Sequence, residues 1–242
     1  MLKVELHAHT ADDPADLIPY STSELIDRAA VLGYDAVAVT LHDRQLDLAP
    51  WRRQALARGV VLIPGIERTI QGRHVLLLNF PPVVERVDTF DALCALKRRF
   101  NGLVIAPHPF YPGHSCLGGE MNRNPDLFDA VEWTWFYTAR TRLFNDRAAE
   151  WACAHGTSLV ANGDVHRLRQ LGPTYSLVDA DRDVESICES IRAGRVTPVT
   201  QPIGALEAAS YLSSLLTASV TRSWRTLTDI LSEPAVGTPP GK

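Results

Sequence analysis

Short apolar runs alternating with segments of helical apolar spacing narrow most sharply what this chain can fold into. The runs are Val4 to Leu6, Ala36 to Thr40, Val60 to Ile66, Val75 to Asn79, Leu103 to Ala106, Ala130 to Trp133 and Leu159 to Ala161, with a further strand candidate at Tyr175 to Val178. Between them, Ser21 to Ser23 offers N-caps for a helix carrying Leu25, Ile26, Ala29 and Ala30 up to Gly33, and Pro50 opens a helix that Gly59 ends. Asp88 caps a third, bearing Phe90, Leu93, Cys94 and Phe100. Two more carry Leu143, Phe144, Trp151 and Ala152 up to Gly156, and Val184, Ile187, Cys188 and Ile191 up to Gly194. Such alternation predicts parallel strands joined by crossover helices, an α/β chain. Only Gly65 to Gly72 is too short for a crossover, so the third and fourth strands are expected to form a hairpin.

At 242 residues, 45% of them apolar, the chain suits one α/β barrel domain over residues 1–200. Residues 201–242 are expected to form a C-terminal extension, helical around Leu212 to Leu231, with a flexible tail from Glu233 to Lys242. Twenty-four Lys and Arg against 28 Asp and Glu give a formal charge of −4, which does not recruit polyanions, so no stable nucleic-acid partner is expected. Cys94, Cys116, Cys153 and Cys188 form no C-x-x-C pair, and no apolar stretch reaches the roughly 18 to 20 residues of a membrane helix. The N-terminus lacks the apolar core of a signal peptide, and a cytoplasmic location is expected.

Five of the eight histidines fall where a predicted strand ends: His7, His9, His42, His108 and His166. In an α/β barrel the C-terminal strand ends converge on one mouth, where gathered histidines and carboxylates make a metal site. Residues i and i+2 of an extended strand point to one side, so His7 and His9 can share a cation. Asp164 and His166 repeat that spacing on the last strand, which barrel closure places beside the first. Glu67 closes a buried run and needs a partner against desolvation: a cation pair bridged by its two oxygens, or a salt bridge to Arg68 or Arg73. His108 is preset by flanking prolines, and His74 would lie beside Glu67 across the hairpin. One of Asp12, Asp13 and Asp16 completes the set, Asp13 being the choice by spacing. His155 closes a helix and reads as structural, whereas His114 sits in a loop that could reach substrate. Glu132 is either an acceptor for a ligand histidine or half of an interior ion pair. Gly113 to Leu117 lacks the closing glycine of a nucleophile elbow, and no phosphate-binding glycine loop occurs, so serine-hydrolase and nucleotide-cradle chemistries find no support.

The order H-x-H-T, T-x-H-D, G-I-E, a strand-opening His, A-x-H-P and G-D-x-H over residues 1–200 resembles the PHP (polymerase and histidinol phosphatase) superfamily, and in particular its small stand-alone metal-dependent phosphoesterases. The resemblance implies a distorted (β/α)7 barrel with two or three divalent ions, manganese, zinc or iron, with magnesium alone the poorest fit to so many imidazoles. By motif position His7, His9, Glu67 and Asp164 would hold one ion and form the catalytic core; Glu67, His74 and His108 a second; Asp13, His42 and His166 a third. Two departures stand out. Leu41 occupies a position where the family has Asp, removing an acid that would brace His42, and the acid after H-x-H-T falls one residue early.

The implied activity is hydrolysis of a phosphate mono- or diester by a metal-activated hydroxide. Arg44, His114 and Arg167 are candidates to hold the substrate, a small phosphorylated compound or a nucleotide or oligonucleotide end. The rivals are hydrolysis of a C–N bond and a non-catalytic metal-binding domain.

Overall fold

A computed structural model describes residues 1–204 and 206–211. The chain divides into Met1–Pro202 and Ile203–Lys242, and the architecture below is that of the first unit. The helix expected over Leu212 to Leu231 and the tail from Glu233 lie outside the described residues.

The elements run β1 (Leu2–Glu5), α1 (Thr22–Val31), β2 (Ala36–Val39), α2 (Arg52–Arg58), β3 (Val61–Ile70), β4 (Arg73–Leu78), α3 (Phe90–Arg99), β5 (Leu103–Ala106), α4 (Glu120–Arg123), β6 (Ala130–Thr134), α5 (Leu143–His155), β7 (Ser158–Asn162), β8 (Tyr175–Val178), α6 (Val184–Arg192) and β9 (Val196–Val199). The nine strands form one sheet in the order β7-β6-β5-β4-β3-β2-β1-β8-β9. Strands β1, β2 and β3 are parallel, as are β5, β6 and β7, while β4 runs antiparallel between the two sets. The sheet curls until β7 meets β8: the Ser176 hydroxyl accepts from Ala161 N (2.8 Å) and donates to Ala161 O (3.0 Å). Farther along, Val165 exchanges backbone hydrogen bonds with His7 and His9. The result is a nearly closed α/β barrel, with the first and last segments joined as the sequence requires.

Val4, Leu6, Ala36, Ala38, Ile63, Leu76, Leu78, Leu103, Ile105, Ala130, Val160 and Val178 pack together in one cluster with Ile187, Cys188 and Ile191 of α6. That helix plugs the end where the parallel strands begin. Arg192 pairs with Asp129 (3.3 Å) and donates to Gly102 O (3.0 Å), just before β6 and β5. The opposite mouth, at the C-terminal ends of the parallel strands, is left for polar side chains. Outside the wall, α1 is capped by a reciprocal Ser21–Glu24 capping box and buries Leu25, Ile26 and Ala29.

Four details differ from the sequence reading. Strand β3 does not stop at Ile66. It continues to Ile70 and turns through Gln71 and Gly72, both at positive φ (49° and 78°), which suits a two-residue hairpin. Glu67 therefore lies within a strand. The third helix is capped by Thr89 and not Asp88. Leu143 is exposed at the start of α5, where Ala148, Trp151 and Ala152 carry the packing. Strand β9 escaped notice, because Val196-Thr197-Pro198-Val199 is short, half-buried and interrupted by proline.

Strand β3 changes partner at Gly65: Val61 to Pro64 pair with β2, and Gly65 to Ile70 with β4. A Cβ at Gly65 would sit 2.7 Å from Leu78 Cδ2 and 2.8 Å from Thr40 Cγ2. Gly65→Ala should thus lower stability by about 1–3 kcal/mol through overpacking, read from the urea midpoint. An unchanged midpoint would show that the wall has room at this switch.

Candidate metal centre

Each candidate ligand reaches the mouth by a local device. Beyond β1, His7 and His9 stay extended and share a side, as i, i+2 spacing demands. His42 forms an isolated parallel bridge with Glu67, and His74 lies diagonally across the hairpin from Glu67, which faces Leu76. His108 and Asp164, just past β5 and β7, are non-glycine residues at positive φ (30° and 41°). Such backbone costs on the order of 1–3 kcal/mol and persists where surrounding structure enforces it. Here it turns both side chains into the mouth.

Glu67, 1% exposed, is the hub. Its Oε2 lies 3.4 Å from His7 Nε2, 3.4 Å from His9 Nε2 and 3.1 Å from His42 Nε2. Its Oε1 lies 2.8 Å from His74 Nδ1 and 3.2 Å from His108 Nε2. Asp164 Oδ1 completes the first group, 3.3 Å from His7 Nε2 and 3.6 Å from His9 Nε2. His166 lies tilted against His9, with ring centroids 4.4 Å apart, and its Nε2 lies 3.2 Å from Asp16 Oδ2. Neither Arg68 nor Arg73 neutralises Glu67: Arg68 pairs with Asp43, and Arg73 donates to the carbonyls of His114 and Cys116.

The outer ring nitrogens are also engaged. His7 Nδ1 lies 2.9 Å from Glu132 Oε2, which also accepts from Asn162 (3.0 Å), so Glu132 braces a candidate ligand histidine. Asp13 Oδ2 faces Nδ1 of both His9 (2.8 Å) and His42 (3.0 Å) and accepts from the His42 backbone N–H (3.0 Å). It thus supplies the brace that Leu41, packed in the apolar cluster behind, cannot give. Glu5, fully buried, accepts from the backbone N–H of His7 and Gly163, tying the first motif to the last.

The electrostatics follow. Burial opposes charge on every group. Against it, Asp164, Glu132 and Glu67 hold His7 well above the usual imidazole value, and Asp13 and Glu67 push His42 up to about 10. His108 and His166 are likewise raised, the first by Cys116 and Glu67, the second by Asp164 and Asp16. Imidazoles hold Glu67 and Asp164 well below the carboxylate range, again against burial. His9 is lowered by burial and by His166. Glu5 is raised to about 8 by burial.

The donor set fits divalent cations. His7 Nε2 and His9 Nε2 are buried and make no hydrogen bond. Their 3.3–3.6 Å spacings to the Glu67 and Asp164 oxygens match the edge, about 3.4 Å, of a tetrahedron with metal–ligand bonds near 2.1 Å. Three sets have ligand atoms within 4.8 Å of one another: His7, His9 and Asp164; His9, Asp13 and His42; His42, Glu67 and His74. Arg44, His114 and Arg167 are exposed and stand outside these sets. Asp12 is drawn to the Thr22 hydroxyl (3.1 Å). Asp16, one of the three candidate acids, is the one that meets His166, whereas Cys116 was missed as the partner of His108 because nothing in its spacing marks it.

An α/β barrel with a histidine–carboxylate nest at its mouth is the architecture the motif order implied, and comparison with known proteins bears out the PHP resemblance. A family model described as PHP-associated matches residues 142–196. A DNA polymerase III PolC-type from Streptococcus pyogenes is 34% identical over 95 residues, 39% of this chain and 6% of that protein, so the match spans a small part of that relative. PsfC from Pseudomonas syringae PB-5123 shares the fold at TM-score 0.60 and 17% identity, over 88% of this chain and 98% of that one. A protein described as a metal-dependent phosphoesterase from Bifidobacterium adolescentis does so at 0.55 and 16%, over 79% and 96%. The lesion-specific endonuclease PfuEndoQ from Pyrococcus furiosus does so at 0.55 and 18%, over 81% and 57%. Among the described residues no helix is long and apolar enough to cross a membrane.

Without cations, the carboxylates of this nest are balanced by the imidazoles whose values are raised, those of His7, His42, His108 and His166. Groups with raised folded values, such as His42, stabilise the fold fully below an imidazole's ordinary pKa near 6.5 and lose that contribution as pH rises through the folded value, about 10 for His42. The depressed carboxylates act oppositely, losing their contribution as pH falls below about 4. The melting temperature of chelator-treated protein should therefore fall by several degrees between about pH 6.5 and pH 9. Added manganese should flatten that decline. A metal-free profile level over this window would show that the imidazoles are neutral and the ion network absent.

Proposed function

We propose that this chain hydrolyses a phosphate mono- or diester with divalent cations held in the nest. The observation that carries the reading is the division of Glu67: one oxygen faces His7, His9 and His42, the other His74 and His108. A carboxylate with imidazoles on both sides suits two cations about 3.5–4 Å apart, a spacing that clamps a phosphoryl group. His7, His9, Glu67 and Asp164 would hold one cation and Glu67, His74 and His108 a second. His42 and His166 would serve a third with Asp13 or, by its contact with His166, Asp16. When bound, such cations supply Lewis acidity, which makes water nucleophilic near neutral pH and neutralises phosphate oxygens.

The chain's own residues do the rest. Glu132 and Asp13 fix ring orientation, so the inward nitrogens present lone pairs. Arg44, Arg167 and His114, on exposed loops, would meet the substrate phosphate. The imidazole-rich set favours manganese, zinc or iron over magnesium. The substrate class is a small phosphorylated compound or a nucleotide or oligonucleotide end. The fold shared with proteins described as a phosphoesterase and an endonuclease supports this class.

The test pairs metal content with turnover of p-nitrophenyl phosphate, its bis-ester and a p-nitroanilide, manganese being added. Phosphoester turnover with more than one metal per chain is expected, and His9→Ala or Asp164→Ala should lower it at least about 100-fold with circular dichroism unchanged. Anilide turnover alone would transfer the site to C–N hydrolysis. Less than one metal per chain without turnover would make it a non-catalytic domain.

A further inference from the structure

The nest imidazoles are not braced alike. The outer nitrogens of His7, His9 and His42 face carboxylates, and that of His166 faces the carbonyl oxygen of Asp164 at 3.0 Å. His108 differs: its Nδ1 lies 3.5 Å from Cys116 Sγ. With His108 Nε2 turned to Glu67 Oε1, a cation-ready ring carries its proton on Nδ1, and sulfur must accept it. Sulfur accepts only weakly.

Cys116 is 8% exposed and belongs to a short strap. Its backbone N–H donates to Gly113 O, and Arg73 donates to the carbonyls of His114 (2.6 Å) and Cys116 (2.9 Å). Ser115 O accepts from the backbone N–H of His74 (2.8 Å). One segment thus sets both imidazoles on the Glu67 Oε1 side: His74 through its main chain, His108 through sulfur. On the Oε2 side, His7 and His9 are braced separately, by Glu132 and Asp13.

We propose that Cys116, on a strap clamped by Arg73, is the positioning residue of the Glu67 Oε1 half of the centre, and that this half takes its cation separately from the Oε2 half and more weakly. The inference rests on the reading of the nest as a cation centre, and not on the bond that is cleaved.

The experiment is a manganese titration of the full chain, followed by calorimetry and by the electron paramagnetic resonance of free ion. Two reference variants label the halves: His108→Ala removes the Oε1 class and His9→Ala the Oε2 class. In the unaltered protein the Oε1 class should be the weaker. Cys116→Ala should weaken that class about 10–100-fold while leaving the other within about twofold, and Cys116→Ser, whose hydroxyl can still accept, should recover part of the loss. Arg73→Met should weaken the same class, which keeps the test open where Cys116→Ala fails to fold. Equal loss in both classes, or no loss in Cys116→Ala, would overturn the assignment. Absence of any manganese binding by the unaltered protein would instead sink the cation-centre reading beneath it.

Discussion

A carboxylate removed from water and ringed by imidazoles is the constraint around which this barrel is arranged. Glu67 sits inside a β-strand at 1% exposure, where an unpaired charge would cost several kcal/mol. Among the described residues no arginine answers it. Compensation comes from five imidazoles delivered by four separate parts of the chain: residues 7 and 9, 42, 74, and 108. Unless those parts converge, Glu67 cannot be buried, and the wall that contains it cannot pack as it does. Closing the barrel and satisfying the hub are therefore one event.

That coupling explains where strain and close packing have gathered. His108 and Asp164 occupy left-handed backbone that their side chains do not favour, and each contributes an inward-facing atom to the nest. Gly163 precedes Asp164 because a Cβ there would lie 2.9 Å from Glu5 Oε2 and 2.6 Å from Val165 Cγ2. Glu5 in turn receives the N–H groups of His7 and Gly163, so the buried carboxyl locks the two ends of the barrel at the point where ligands must align. The plug at the other end, α6, gives the mouth its polarity: apolar side chains fill the strand starts, and only the strand ends are left for charge.

Much of this was legible because it is local. The i, i+2 pairing of His7 with His9, the strand-then-histidine placement of His42 and His108, and a hairpin that sets His74 beside Glu67 follow from periodicities of two residues and from turn length. What escaped depends on which ring nitrogen faces where. Asp13 could be picked as an acid near the nest, but its contacts with two outer nitrogens are set by the approach of His42, 29 positions along the chain and outside any local pattern. Leu41 raised the opposite difficulty. Its missing carboxylate looked like a lost brace, whereas Asp13 already fills that place and Leu41 is free to pack. Asp16 and Cys116 lie in loops whose paths no periodicity encodes, and β9 is a short edge strand whose proline hides it.

The same bookkeeping of charge connects fold to chemistry. Six imidazoles and a set of carboxylates within contact of one another can be neutralised either by protons on the rings or by cations between the rings and the acids. Raised imidazole values and depressed carboxylate values are what the proton solution looks like, and each site a cation takes must displace protons. In the proposed centre, protons and divalent ions would thus compete for one set of buried lone pairs, with the outer acceptors deciding the contest ring by ring. A carboxylate behind the ring strengthens its hold on either occupant; a sulfur does so least. On the proposed reading as a cation centre, braces graded from Glu132 and Asp13 down to Cys116 would grade the centre itself, so that its two halves need not fill together even though a single glutamate would belong to both.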